Sequence, residues 1–205
     1  MTLSNSFTRF NQLHLCTIAG LLISSLGFTA NAQAQWQLLN ESSQLNFVST
    51  KATHIAEAHT FTKLQGSVSD AGKTTLTIDL ASVETMIPIR NQRMGAMLFE
   101  IATFPTAEFS AQIDLGTLNQ LNVGAMQDML LKGELSLLST TIPLSANVRV
   151  TKLEGNRVQV QTLKPIILNA NSLSVVEGIE KLRNVAGLPS ISHSVPVTFS
   201  LIFRQ

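Results

Sequence analysis

The last strand-like segment of the chain alternates apolar and polar residues almost without a break. Apolar side chains occupy every second position, at Val195, Val197, Phe199, Leu201 and Phe203, and the residues between them are mostly polar. Because successive side chains of a β-strand point to opposite faces, this period of two predicts a strand with one apolar face. That face must be buried against a packed core, a second sheet or the inside of a barrel.

Shorter runs of the same kind recur along the chain between turn residues. We predict strands at 36–39 and 44–50 (as one first strand), 61–68, 76–80, 109–115, 129–137, 142–150 and 158–162 continuing toward 168. The turn sequences 69–72 and 154–156 predict hairpins. Several strands joined by short turns are typical of an antiparallel sandwich or barrel.

Two segments break the alternation and favour short helices. Residues 90–99 place Met94, Met97 and Leu98 at helical spacing, although Gly95 limits the expected length to one or two turns. Residues 177–185 carry an apolar stripe opposite a charged face. The sequence therefore predicts an all-β domain with one or two short helices.

The first 34 residues have the pattern of a cleaved secretory signal peptide. Arg9 precedes the uncharged apolar run Leu15–Phe28, and small residues at 30–32 and 32–34 offer two cleavage sites that would leave Gln33 or Gln35 first. The run is shorter than the roughly 20 apolar residues of a membrane span. We therefore expect export to a Gram-negative periplasm, no direct membrane span, and one mature domain at 35–205.

Removing this segment changes the composition in two ways. The one cysteine, Cys16, lies within it, so the mature chain can form no intramolecular disulfide. Of 14 basic residues only Arg9 is lost, and the remaining 13 balance 13 acidic ones. A formal charge of zero without a basic stripe argues against nucleic acid as a partner.

The sequence contains no recognisable catalytic or metal-binding constellation. His54 and His59 are five residues apart, which does not match the helical spacing of a zinc site, and His193 stands alone before the last strand. Nucleophile-elbow, phosphate-loop and dinucleotide motifs are absent from the sequence. We expect no catalytic residue, no metal and no enzyme activity.

One polar cluster stands out in a chain that is otherwise sparse in charge. Arg90, Asn91, Gln92 and Arg93 follow one another directly. Two interpretations remain open. The arginines could bind a carboxylate or phosphate, or they could be structural. In the structural interpretation they form ion pairs with acidic residues, for which the candidates are Glu84, Glu100 and Glu108.

An ordered set of short motifs resembles the YceI-like family. The motifs run from Phe47, His59, Phe61 and Gly66 through 82–85, 90–94, 98–100 and 104–109 to 133–135, 142–144 and 195–199. The resemblance covers nearly the whole mature chain. One departure is that Asn91 and Arg93-Met94 stand where the family commonly has an acidic residue and His-Leu, which indicates a subgroup.

The resemblance implies a single antiparallel lipocalin-like β-barrel of about eight strands that binds long apolar molecules. The expected ligand is a polyisoprenoid, an isoprenoid quinone or another lipid, with no other cofactor. The expected apolar lining is Phe47, Leu76, Ile78, Leu135, Leu144, Val148, Val197, Phe199 and Leu201. The expected polar head-group residues are Arg90, Asn91, Arg93 and His59.

Several alternatives remain open on the sequence alone. The barrel could be collapsed around its own side chains, and it could form a homodimer. The protein could also be an accessory of a membrane cytochrome or quinone system. A lipid-acting hydrolase would need a serine or threonine that meets His54 or His59 inside the pocket.

Overall fold

The computed structural model describes residues 34–205, so the predicted signal peptide lies almost wholly outside the described residues. The strands are β1 Ala34–Leu38, β2 Gln44–Lys51, β3 Ile55–Phe61, β4 Leu64–Ser69, β5 Lys73–Asp79, β6 Val83–Glu84, β7 Thr106–Gln112, β8 Met126–Leu137, β9 Thr140–Leu153, β10 Arg157–Thr162, β11 Ile166–Asn169 and β12 Ser194–Arg204. The helices are α1 Pro88–Arg93, α2 Leu115–Asn119 and α3 Val176–Val185.

These strands form a closed antiparallel barrel, which confirms the predicted fold class. Neighbours in the chain pair in order, from β4 with β5 through β7, β8, β9 and β10 to β12. Four of the eight barrel strands are interrupted, so that each consists of two of the strands given above: β1 with β2, β3 with β4, β5 with β6, and β10 with β11. Strands β1 and β2 pair along one side of β12, and β10 and β11 pair with its other side. Pairing of β12 with β1 and β2 closes the ring.

The interruption of the first strand is a short 3₁₀ turn at Asn40–Ser42. Ser43 spans it by accepting a hydrogen bond from the backbone N–H of Ile202 and donating one to the carbonyl oxygen of Leu39. Asn40 accepts one from the backbone N–H of Leu64. The sequence predicted the two runs as one strand, whereas the structure has two strands, β1 and β2. Both pair with β12, and side-chain hydrogen bonds hold the bend between them.

The predicted strand at 109–115 extends too far. Strand β7 ends at Gln112, and Asp114 then caps α2 by accepting a hydrogen bond from the backbone N–H of Gly116. An aspartate at this position competes with strand pairing because its side chain satisfies a free backbone donor. Helix α2 was not predicted from the sequence.

The other two helices lie at the opposite end of the barrel from α2. The order of the strands shows which end of the barrel each helix occupies. The turn at Gly72 and the start of α2 lie at the same end, where the backbone N–H of Ile113 donates a hydrogen bond to the carbonyl oxygen of Gly72. Helix α1 continues into a π-helical turn at Met94–Leu98, which packs against α3. A Cβ on Gly178 would lie 2.7 Å from the carbonyl oxygen of Met97, so glycine permits this close crossing.

Candidate functional site

The barrel encloses a cavity of about 550 Å³. Its size lies within the roughly 300–1,000 Å³ range of small-molecule sites. Inward side chains from many of the strands line it, and the five alternating apolar residues of β12 all contribute. The interior is therefore not filled by the protein's own side chains.

All nine residues predicted as apolar lining lie along this cavity. They are Phe47, Leu76, Ile78, Leu135, Leu144, Val148, Val197, Phe199 and Leu201. Most of them are buried, with Val148 only 1% exposed. The barrel thus brings together side chains from five strands, β2, β5, β8, β9 and β12. Whether they contact a ligand remains a prediction.

The end of the cavity next to α2 is closed by apolar side chains. Leu115 and Leu118 of α2 line it there, together with Trp36 of β1. The Trp36 ring is buried under the ammonium group of Lys152, 4.8 Å from the ring centroid, and its indole N–H has no hydrogen-bond partner. Among the described residues, the Trp36 indole N–H is therefore a buried donor without a partner at this end.

The other end of the cavity opens to solvent between α1 and the end of α3. Three large apolar residues both line the cavity and are more than a third exposed: Ile87 at 42%, Ile89 at 51% and Val185 at 43%. We call this opening the mouth. An apolar chain entering here would pass between apolar side chains.

Polar residues of the lining gather almost entirely at the mouth. They come from the end of β2, the start of β3, α1 and the segment before β12, whereas Thr74 lies toward the closed end. The set is Ser49, Lys51, Glu57, His59, Arg90, Arg93, Ser192 and Thr74. The cavity is therefore amphipathic along its length, with a mostly apolar interior and charged residues at its opening.

Arg90 is held at the mouth by two hydrogen bonds. Its Nη1 donates to Glu57 Oε2 at 2.6 Å, and its Nη2 donates to the carbonyl oxygen of Thr85 at 2.6 Å. The predicted structural partners Glu84, Glu100 and Glu108 were wrong for Arg90, because the barrel brings Glu57 of β3 beneath α1. The Nε of Arg90 is buried without a partner.

Glu57 also binds a second cation. Lys51 Nζ lies 2.9 Å from its Oε2, and this hydrogen bond, with that from Arg90, lowers the pKa of the Glu57 carboxyl below its ordinary value. Glu57 is therefore ionised at neutral pH. The Glu57 carboxylate therefore forms ion pairs with both the Lys51 ammonium group and the Arg90 guanidinium group.

His59 lies deeper in the cavity and is only 5% exposed. Its Nε2 lies 2.8 Å from Ser49 Oγ, its ring packs on Phe47 with centroids 5.2 Å apart, and its Nδ1 is buried without a partner. Burial, followed by the positive charge of Arg90, lowers the pKa of His59. The imidazole is therefore neutral at neutral pH.

The remaining two predicted head-group residues differ in position. Arg93 lines the cavity, and no ion pair or hydrogen bond of its side chain occurs among residues 34–205. Asn91 does not line the cavity. Its Oδ1 accepts from the backbone N–H and hydroxyl of Thr85, and its Nδ2 donates to Glu84. Asn91 therefore fastens α1 to β6.

Sequence reasoning missed four polar residues of the mouth: Ser49, Lys51, Glu57 and Ser192. The signal was present as the period of two, because Ser49 and Lys51 continue the inward stripe of Leu45 and Phe47 on β2. Glu57 likewise shares a face with His59 on β3. Polar residues at the end of an apolar stripe mark the rim of a barrel.

Neither a metal-binding cluster nor a membrane-spanning helix is found in the part of the chain that the structure describes. Within residues 34–205, no three His, Cys, Asp or Glu side chains lie close enough together to hold a metal ion. No helix in this range has the length and apolar character needed to cross a membrane.

The fold and cavity define the class of protein as a closed lipocalin-like barrel with an apolar interior. The family model of the YceI-like domain matches residues 36–203. The chain therefore belongs to the YceI-like family, and the resemblance noted in the sequence is confirmed. No protein with a curated description matches it.

Solved structures agree with this assignment. The chain is 38% identical to a polyisoprenoid binding domain from Saccharophagus degradans implicated in plant cell wall breakdown, with a TM-score of 0.82 over 84% of this chain and 99% of that one. It is 18% identical to Burkholderia cenocepacia BcnA, with a TM-score of 0.57 over 80% and 98%. A mutant CJ YceI protein with a monobromobimane guest is 10% identical, with a TM-score of 0.51 over 70% and 82%. The latter two show the fold alone.

Proposed function

We propose that this protein binds one long apolar molecule inside the barrel, with its tail toward α2 and its polar end at the mouth. The ligand is a polyisoprenoid, an isoprenoid quinone or another lipid, and it leaves the protein chemically unchanged. The observation that carries this proposal is the cavity of about 550 Å³, mostly apolar along its body and with its charged residues near its opening.

Physical chemistry favours such a ligand over water in the cavity. Cavities lined by Leu, Ile, Val and Phe offer water no hydrogen bonds and bind apolar molecules instead. Each methylene moved from water into the barrel contributes about 0.8 kcal/mol, so a long chain can outweigh the cost of association. The 38% identical Saccharophagus domain, described as polyisoprenoid binding, supports the same ligand class.

The proposed site of action is the periplasm. The support is the signal-like pattern of residues 1–34, with its uncharged apolar run and small-residue cleavage sites. A carrier in this compartment would shield an apolar molecule from water between membranes. It would also suit an accessory role beside a membrane quinone system, if the bound molecule proves to be a quinone.

Native mass spectrometry of the protein purified from the periplasm of its own organism tests this function. We expect a mass excess of one bound molecule that organic extraction removes, and an N-terminus at Gln33 or Gln35. The extracted protein should rebind one equivalent of an isoprenoid quinone or a polyprenol. Failure to bind any long-chain probe after extraction, with the barrel still folded, would overturn the proposal.

A second candidate function, a lipid-acting hydrolase, is favoured by one observation. The Ser49 hydroxyl lies 2.8 Å from His59 Nε2 inside the cavity, which is the distance of a nucleophile and its base. However, no carboxylate among the described residues orients His59, because its Nδ1 has no hydrogen-bond partner there. This missing third group makes binding the better-supported function.

The hydrolase is tested with a long-chain aryl ester. We expect the wild-type protein and Ser49→Ala to release the aryl alcohol at the same background rate, since binding alone requires no nucleophile. Turnover by the wild-type protein that is lost in both Ser49→Ala and His59→Gln would instead establish the hydrolase.

A further inference from the structure

The charged residues that line the cavity do not balance. Lys51, Arg90 and Arg93 are cations, and Glu57 is the one acidic residue among the described cavity-lining residues. Three positive charges and one negative charge leave two positive charges in excess. Glu57 already contacts both Lys51 and Arg90, so the charge of Arg93 and one further unit remain uncompensated within the lining.

The same region contains two buried nitrogen atoms that have no hydrogen-bond partner among residues 34–205, Nδ1 of His59 and Nε of Arg90. The Arg90 Nε can only donate. The neutral His59 donates from Nδ1 whenever Nε2 accepts from the Ser49 hydroxyl. A buried donor without a partner costs stability, so the mouth is arranged for a ligand that accepts hydrogen bonds.

We infer that the cavity binds an apolar chain that ends in an anionic head group, a carboxylate or a phosphate, whose oxygens accept hydrogen bonds from Arg90, Arg93 and His59. This inference rests on the proposed function, because the tail must occupy the barrel for the head group to reach the mouth. Carboxylates and phosphates share the oxyanion geometry that matches a guanidinium group.

A neutral head group fits the mouth less well. A quinone carbonyl or an alcohol could accept one hydrogen bond, but it would leave both excess positive charges uncompensated beside an apolar wall. Charges interact more strongly in such a partly desolvated setting than in water. An anionic head group accepts these hydrogen bonds and also compensates the excess positive charge.

Matched pairs of ligands with the same tail test this inference. Hexadecanoic acid is compared with hexadecanol, and a polyprenyl phosphate with its polyprenol, by titration at pH 8 below the concentrations at which the probes aggregate. Since charge-assisted hydrogen bonds are the strong ones, we expect each anion to bind roughly tenfold to a hundredfold more tightly than its alcohol. Comparing the gain for hexadecanoic acid with the gain for the polyprenyl phosphate identifies whether the site prefers a carboxylate or a phosphate.

Arg93 is the residue to change, because no contact of its side chain holds the fold among residues 34–205. Arg93→Gln should reduce the preference for the anion over the alcohol about tenfold, and Arg93→Lys should retain most of that preference. Lys132→Gln, the same loss of charge on an exposed outer position of β8, should change neither affinity.

The outcomes separate this inference from the proposed function. Equal binding of acid and alcohol, or an equal loss of both in Arg93→Gln, would overturn the anionic head group while the lipid-binding function stands. If no probe of either kind binds to the extracted, folded protein, the proposed function itself fails.

Discussion

Replacing Leu201 with aspartate is expected to lower the free energy of unfolding by about 4 kcal/mol or more. Leu201 is 5% exposed and lines the cavity opposite the outer face of β12. The substitution removes a buried leucine side chain and places an unpaired carboxylate among apolar groups, and both changes are costly. Urea unfolding followed by circular dichroism measures the difference.

Ser200→Asp is the matched control for this change. Ser200 is the preceding residue on β12, points to the opposite face, and accepts a hydrogen bond from Gln159 at 2.9 Å. A carboxylate can accept the same bond, so we expect a loss below about 1 kcal/mol, in the range of surface substitutions. Equal losses for the two variants would show that the inner face of β12 has been assigned wrongly.

Replacing Ala146 with phenylalanine is expected to weaken lipid binding on the order of fiftyfold. Ala146 is buried on β9 and its side chain borders the cavity. A phenyl ring there occupies the space of about three ligand methylenes, and three methylenes at about 0.8 kcal/mol each amount to about 2.4 kcal/mol. Titration with an isoprenoid quinone or a polyprenol measures the loss.

The control is the same substitution one residue earlier. Ser145 is exposed on the outer face of β9, so Ser145→Phe adds the same ring without entering the barrel. We expect its affinity for the probe to equal that of the wild-type protein. Unchanged binding in Ala146→Phe, with an unaltered melting temperature, would mean that the ligand does not occupy this part of the cavity.

Most of the fold could be predicted because an inward-facing strand leaves a local signal. The alternation of β12, the hairpin turns at 69–72 and 154–156, and the apolar stripe of α3 each depend on residues close in the chain. Helix α2 was missed because its five residues are too few to show a helical period, and only the capping side chain of Asp114 marks its start.

The site was predicted less completely, for a different physical reason. Arg90, Arg93 and His59 stand out by chemical type, and the barrel does bring them to the mouth. The partners of these side chains depend on how the barrel folds. Glu57 and Arg90 are 33 residues apart in the chain and meet only when α1 folds over β3. No local pattern records that contact. Asn91 shares the cluster in sequence but lies on the side of α1 that faces β6.

The seam between β12 and the bent first strand also governs the order in which the protein can fold. The hydrogen bond from Ile202 to Ser43 joins residues 159 positions apart, whereas the hairpins elsewhere in the ring close over a few residues. Closing so long a loop carries a large entropic cost, and distant pairings slow folding. The hairpins are therefore expected to assemble first, as an open curved sheet with its apolar face in water and two unpaired edges. Until β12 arrives and removes those edges, the chain is exposed to the same intermolecular pairing that the finished ring prevents.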